Sequence, residues 1–344
     1  MTAQYASKTQ INEWDSLVAK SGSASTVFST AEYAEIKKDT RYTPRYIMVD
    51  SHAVLVLEKR TWPLGRLWYI PKGPNVASTD ELFSVLEALK PLARATSVFT
   101  IRVESELPRS VAPTLEDGGL VPAAAVIPSS STITLDISPS LDDFMQNLPQ
   151  KSRYAIRRAE RDGVTVRRVK ATEENCRIMY ELLSGTASGQ FGIRRFEYYK
   201  KYWQTFEKSS LGQLFFAYYD GTVVAGAYAL YFNGKSTYKD GASIRERTAY
   251  GASHLLQWHV IQWAKERGSS LHDLCGSPPS DKIHDSSHPH YNIGLFKTSF
   301  NKTVTDYIGC YDMIISPARY AVWQKIGERV HKKIYFKTTH DYYY

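Results

Sequence analysis

LFFAYYDGTVVAGAYALYF, residues 214–232, consists of two apolar runs broken by Asp220-Gly221. Asp-Gly between apolar stretches is a strong short-range hairpin signal, because both central positions of the favoured turn need positive φ. The hairpin organises its surroundings. Upstream lie a basic helix, a strand at 164–169 and helices at about 172–186 and 195–207. Downstream come a strand at 236–240, a long helix from about 249 to 267 ending at Gly268, and a strand at 271–274. The first 140 residues have a comparable order. A helix over Ile11, Trp14, Leu17 and Val18 opens at a Thr9 cap and closes at Gly22, and a capping box at Ser29 and Glu32 opens a second. Strands follow at 46–49, 53–57 and 67–70, then a helix through Leu82, Leu86 and Leu89, a strand at 98–103, a short helix, and strands near 123–127 and 132–137. Two copies of one α+β unit are therefore predicted, with a final basic helix at about 317–333.

Composition narrows the classes of function. The chain has 344 residues, 43% apolar and 23% charged, which is enough for a large core and inconsistent with disorder as the main state. The longest apolar runs, such as 53–57, fall far short of a bilayer span, and residues 1–10 lack the apolar stretch of a secretory signal. A cytoplasmic protein is expected. Three scattered cysteines, Cys176, Cys275 and Cys310, can neither staple this fold nor form a four-thiolate zinc site. A net charge of +8 favours anionic partners. There is no Walker loop, no G-x-G-x-x-G after a strand, no G-x-S-x-G and no H-E-x-x-H, so nucleotide-driven, dinucleotide and common hydrolase chemistries lose ground. His284, His288 and His290 with Asp281 and Asp285 match no familiar metal spacing, and no metal is expected.

Four stretches could carry chemistry. Residues 151–170 hold Lys151, Arg153, Arg157, Arg158, Arg161, Arg167, Arg168 and Lys170 against Glu160 and Asp162. On a helix, Arg153, Arg157 and Arg161 recur every fourth residue while Ala155, Ile156 and Ala159 face inward, an arrangement that meets several phosphates at once; a solvated charged face gives the same pattern. In NIGLFKTSFNK, residues 292–302, Lys297 is bracketed by Leu295, Phe296 and Phe300. An ammonium in an apolar frame is a strong partner for a developing oxyanion, although a snorkelling surface lysine reads identically. FGIRR, residues 191–195, presents adjacent guanidiniums before Tyr198, and YIPKGP, residues 69–74, places Lys72 in a turn.

In order along the chain, NLPQKSRYAIRRAERDGVTVRRV (147–169), TYKDGAS (237–243) through LLQWHVIQWAKERG (255–268) to HDLCG (272–276), and GLFKTSF (294–300) followed by YIGCYDMIISPARY (307–320) resemble the FemABX family of peptidoglycan-bridge aminoacyltransferases. YIPKGP and FTIRVESEL (99–107) resemble its N-terminal half. The resemblance implies two GNAT-like domains with a cleft between them, here over residues 1–141 and 142–315, with the segment 316–344 returning to the first. The compact type is implied, since 169–214 holds no long helical-hairpin arm. It also implies transfer of an amino acid from aminoacyl-tRNA to the stem-peptide lysine of UDP-MurNAc-pentapeptide or lipid II, with no cofactor.

Residue by residue, Lys297 matches the lysine that stabilises the tetrahedral intermediate, with Phe296 beside it. Lys37 and Arg194 match the pyrophosphate-holding positions, and Tyr198 and Tyr238 line the same cleft, with Lys72 as a further substrate contact. Glu104 stands where the family has an acidic residue that acts as base or orients the amine, and Asp240 replaces a second cleft tyrosine. The basic helix, with Lys151, Arg153, Arg157, Arg158 and Arg161, becomes the tRNA face. No heptad or apolar repeat stands out, so a monomer is expected. An acyl-CoA-dependent N-acyltransferase is the main alternative; its pyrophosphate loop would be Arg247-Thr-Ala-Tyr-Gly-Ala, where the glycine comes one place late. A non-enzymatic RNA-binding or membrane-surface protein is the other. A basic aromatic tail with Lys325, Arg329, Lys332, Lys333 and Lys337 beside Trp323, Tyr335 and Phe336 would equally let an enzyme touch anionic lipid at the inner membrane face.

Overall fold

The computed structural model describes residues 1–21, 25–187, 192–244 and 249–344. Its contacts divide the chain into a first unit, Met1–Ser130 with Asp306–Tyr344, and a second, Ser131–Thr305. These limits differ from the predicted 141/142 and 315/316 because a short strand crosses over at each join. Thr134–Asp136 pairs with Leu271–Asp273 in the second sheet, and Tyr311–Ile314 pairs with Val98–Val103 in the first. Strand pairing, which a linear sequence does not display, decides to which unit each join belongs.

In the first unit a seven-stranded sheet runs Ala3–Tyr5, Thr43–Val49, His52–Thr61, Gly65–Ile70, Val98–Val103, Tyr311–Ile314, Val121–Pro122. Val98–Val103 is buried at every residue, as a strand covered on both faces must be. It lies parallel to Gly65–Ile70, Trp68 opposite Ile101, and the crossover is the helix Thr79–Ala95. That helix opens on Ser78, whose hydroxyl accepts from the Glu81 N–H, and buries Leu82, Val85, Leu86 and Leu89. The second unit repeats the plan: Gly212–Tyr219, Thr222–Phe232 and Lys235–Ser243 form an antiparallel meander, and the helix Ala252–Glu266 crosses to Leu271–Asp273, parallel to Lys235–Ser243. Asp220 and Gly221 both have positive φ, as the hairpin predicts. One face of the meander, with Phe215, Ala217 and Ala227, packs against Leu255, Leu256 and Ile261 in a single core. GNAT-like architecture in both halves follows.

Several local expectations shift. The first helical stretch is two pieces, Lys8–Asn12 and Trp14–Lys20, capped by Ser7 in a capping box with Gln10 rather than by Thr9; Gly22 lies outside the described residues. The second cap is Thr30, not Ser29, whose place is in a short 3₁₀ turn. Residues 123–127 form no strand. Instead the N–H groups of Val126 and Ile127 donate to Glu104, and an apolar run without alternation carries no mark of that use. The last helix also extends past 333, as Pro317–Val322, a wide turn at Trp323–Gly327, and Glu328–Thr339. Beyond the predicted limit Tyr335 is buried and covers the Lys59 ammonium at 4.6 Å from its ring centre.

Candidate active site

Lys297 ends the short helix Tyr291–Lys297 and is only 8% exposed, so the snorkelling alternative fails. Its ammonium donates to the carbonyls of Cys275 and, at 2.6 Å, Gly276. Those carbonyls converge because Cys275 and Gly276 both adopt positive φ just after strand Leu271–Asp273. A non-glycine residue in that region is strained, and here Asp273 holds it: its carboxylate accepts from the Cys275 N–H at 2.7 Å and from Thr132 Oγ1 at 2.5 Å. Burial lowers the Lys297 pKa to about 8, against a smaller raising influence from Cys275 and Asp273. No carboxylate forms an ion pair with it among the described residues. A lysine ammonium has three N–H donors, and two are committed here.

The helix carrying Lys297 is fixed from the same side. Phe296 lies edge-on to His254 at 5.1 Å and to Phe300 at 5.4 Å, which makes it a wedge against the core. His254 contacts Ser299 Oγ at 3.0 Å, and burial with the nearby Lys151 lowers its pKa to about 4, so it is a neutral packing group at physiological pH. Ser152, fully buried on the helix Gln150–Arg161, donates at 2.6 Å to the Ser299 carbonyl. The basic helix and Lys297 are thus joined through one hydrogen bond.

On that helix Ala155, Ile156 and Ala159 are buried as expected. Its cations divide. Arg153 donates to the carbonyls of Gln146 and, at 2.7 Å, Leu148, where it closes off the preceding helix Leu141–Asn147. Arg158 pairs with Asp162 at 2.5 Å. Lys151, Arg157 and Arg161 are exposed and form no ion pair among the described residues. The outward row is therefore narrower than the sequence pattern implied.

Arg194 and Tyr198 come together, the guanidinium 4.7 Å from the ring centre, at the start of the helix Phe196–Lys208; Phe191, the first residue of FGIRR, lies outside the described residues. Tyr238 is half-buried against the second unit's core, and two residues on Asp240 accepts from Trp203 Nε1 at 2.9 Å and from Lys239 at 3.0 Å. Asp240 is thereby committed to structure. Burial opposes the Lys239 charge, but Asp240 outweighs it and holds the ammonium above its usual range.

In the first unit, Lys37 is buried on the helix Ala31–Lys38 between the rings of Tyr33 and Tyr42, at 5.4 and 5.8 Å. Lys72 and Glu104 line one small depression with Ser105 and Tyr307. Lys72 sits 3.8 Å from Glu106 and over the Tyr307 ring. Glu104 accepts from Tyr69 Oη at 2.5 Å and from the N–H groups of Val126 and Ile127 at 2.8 and 3.1 Å, a coordination that fixes the carboxylate and occupies three of its roughly four lone-pair sites.

Of the alternative CoA loop, Arg247 and Thr248 lie outside the described residues. Gly251 has positive φ, and a Cβ there would stand 2.2 Å from the Ala155 carbonyl oxygen. Close approach of the long helix to the basic helix accounts for this glycine without a phosphate. His288 and His290 meet edge to face, their ring centres 5.7 Å apart. Among the described residues no group of three metal-binding side chains converges, and no helix is long and apolar enough to cross a membrane.

Residues 147–282 match the family model described as an acetyltransferase (GNAT) domain. The chain is 28% identical over 270 residues to UDP-N-acetylmuramoylpentapeptide-lysine N(6)-alanyltransferase of Weissella viridescens, covering 74% of this chain and 77% of that protein. It is 26% identical over 125 residues to lipid II:glycine glycyltransferase of Staphylococcus epidermidis, 36% of this chain and 29% of that one. Among solved structures, that of FemX superposes with a TM-score of 0.79 at 18% identity, over 95% of this chain and all of that one.

Proposed function

We propose, from its membership of the FemABX family, that this chain is an aminoacyltransferase that carries an amino acid from aminoacyl-tRNA to the stem-peptide lysine amine of UDP-MurNAc-pentapeptide or lipid II, building the interpeptide bridge. The observation that carries the chemistry is Lys297: a buried ammonium, paired with no carboxylate among the described residues, held on two carbonyls by a strained turn. An aminoacyl ester is already activated, so an uncharged amine attacks its carbonyl carbon directly, the carbonyl oxygen becomes an oxyanion, and collapse expels the ribose oxygen. Lys297 supplies the cation where that negative charge develops, in surroundings that screen its field less than water does. The acceptor lysine, with a free pKa of about 10.4, must first lose its proton. Glu104, already holding three donors, keeps about one lone-pair site on Oε2, which fits a carboxylate that orients the acceptor amine better than one that takes its proton, and leaves the departing ribose oxygen as the final proton acceptor.

For the substrates we assign Arg194 and Lys37 to the pyrophosphate, Tyr198, Tyr238, Lys72 and Phe296 to the acceptor's surroundings, and the exposed Lys151, Arg157 and Arg161 to the tRNA backbone, with Arg153 and Arg158 in support. Arg194→Ala is expected to weaken binding of the UDP-linked precursor by about 10- to 100-fold, the range for losing one charge-assisted contact, and Lys37→Ala to weaken it as well. Calorimetry with that precursor checks both, and an unchanged Kd at either position removes it from the site. The decisive assay offers a mixture of charged tRNAs to the soluble and the lipid-linked acceptor. Transfer without CoA supports the proposal. The GNAT-domain match favours an acyl-CoA-dependent N-acyltransferase as the second reading, and tight CoA binding with no tRNA-dependent product would establish it instead.

A further inference from the structure

The C-terminal helices carry an outward face that the chemistry above does not use. Val322, Ile326, Val330 and Ile334 recur every fourth residue and are all exposed, Ile326 by 60% and Ile334 by 56%. Such a period keeps them along one side of the helix, about 100° round the axis from the buried Trp323 and Tyr335, which directly follow Val322 and Ile334. Beside them runs a second exposed row, Lys325, Arg329, Lys333 and Lys337. The only acid within Pro317–Thr339, Glu328, is turned inward onto Arg102 and Tyr344. Next to the helix stands Trp62, 87% exposed, in a turn that the His331 ring meets at the Trp62 carbonyl, 3.2 Å away.

We infer that this face, Val322 to Ile334 with Trp62 and its flanking cations, is a docking surface for an anionic lipid bilayer. An aliphatic stripe with a neighbouring tryptophan matches the boundary between headgroups and acyl chains, where an amphipathic helix lies in the interface plane. The row of cations matches the negative potential of an anionic leaflet. A second copy of the chain would set this row against its own like charges. A nucleic acid would satisfy the cations but leave the aliphatic stripe and Trp62 in water. The inference gains a purpose from the transferase proposal, since it would hold the catalyst at a membrane-borne precursor, but its evidence is separate.

Two variants of the full chain test it: Ile326→Ser/Val330→Ser/Ile334→Ser and Arg329→Gln/Lys333→Gln/Lys337→Gln. Co-sedimentation uses vesicles of phosphatidylcholine alone and of phosphatidylcholine with an equal part of phosphatidylglycerol. The unmodified chain should partition onto the anionic vesicles with a blue shift in tryptophan emission. The charge variant should partition about 100-fold more weakly and the serine variant at least tenfold more weakly. All six side chains are exposed, so both variants should keep the parent's melting temperature and its turnover of the soluble UDP-linked acceptor. Three results would overturn the inference: no preference of the unmodified chain for anionic vesicles, a dimer in solution that the serine variant dissociates, or a charge variant that loses tRNA affinity while binding vesicles normally. Turnover of the soluble acceptor is read separately, so its failure would implicate the transferase proposal and leave vesicle binding to be judged alone.

Discussion

Lys297→Met should lower the transfer rate by about 10²- to 10³-fold, the usual loss when one preorganised partner of an oxyanion is removed, while the second unit stays folded. Single-turnover kinetics with a preformed aminoacyl-tRNA checks it, and a variant within about threefold of the parent would remove the assignment. Titration gives an independent handle. With its pKa lowered to about 8 by burial, Lys297 is cationic below that pH and neutral above it. Activity should therefore climb with pH as the acceptor amine deprotonates and flatten above about pH 8 as Lys297 loses its charge; in Lys297→Arg, whose guanidinium does not titrate there, any residual activity should keep climbing through that range. Stability carries the opposite sign. The unfolded chain keeps the Lys297 proton up to about 10.5 while the native state releases it near 8, so the unfolded state binds more protons across that window and stability rises with pH. Denaturant titrations should show the parent gaining about 3 kcal/mol on the methionine variant between those limits, the charge having opposed folding at neutral pH.

How far these residues were legible depends on whether their partners are local in sequence. The hairpin at Asp220-Gly221, the fully buried strand Val98–Val103 and the inward Ala155, Ile156 and Ala159 follow from period and turn chemistry, both of which act over a few residues. Lys297 was legible as a type of group, a cation within an aromatic frame. The turn that holds it was not, because HDLCG shows an Asp and a Cys-Gly pair without showing that two carbonyls will point at a lysine some twenty positions later. On the basic helix, spacing counts charges without counting what they already touch: Arg153 donates to carbonyls and Arg158 pairs with Asp162. Asp240 and Glu104 are similar cases, carboxylates whose donors come from Trp203, Tyr69 and a segment with no regular structure.

Arg102→Leu should be the most destabilising substitution in the first unit, by about 3–5 kcal/mol, lowering the melting temperature by about 10 °C or more. Arg102 is buried in the strand Val98–Val103. Its guanidinium meets Asp312 through two hydrogen bonds of 2.8 Å, Glu328 at 3.0 Å and the Tyr344 hydroxyl at 2.6 Å, so one side chain ties Val98–Val103 to Tyr311–Ile314 and to the final helix. Its removal leaves Asp312 a buried carboxylate without its cation, which costs more than the pair contributed. The acid limb is a second readout. Burial opposes the Glu328 charge, yet Arg102, Lys332 and Tyr344 outweigh it and lower its pKa to about 2. A carboxyl so depressed stabilises the fold above its ordinary value near 4.5, and that stability drains away as pH falls toward 2. In Arg102→Leu, which removes the largest of those lowering partners, this acid-dependent loss should shrink. A double-mutant cycle with Asp312→Asn should give a coupling above about 1 kcal/mol, and strictly additive effects would show that the two residues stabilise the unit independently. Arg102 and Lys297 make the contrast that defines the site. Both are buried cations, but the fold surrounds the first with carboxylates and a phenol, whereas among the described residues the second donates to two carbonyls and forms no ion pair with a carboxylate. On the proposed function, that cost in stability is what leaves the Lys297 charge available to the oxyanion.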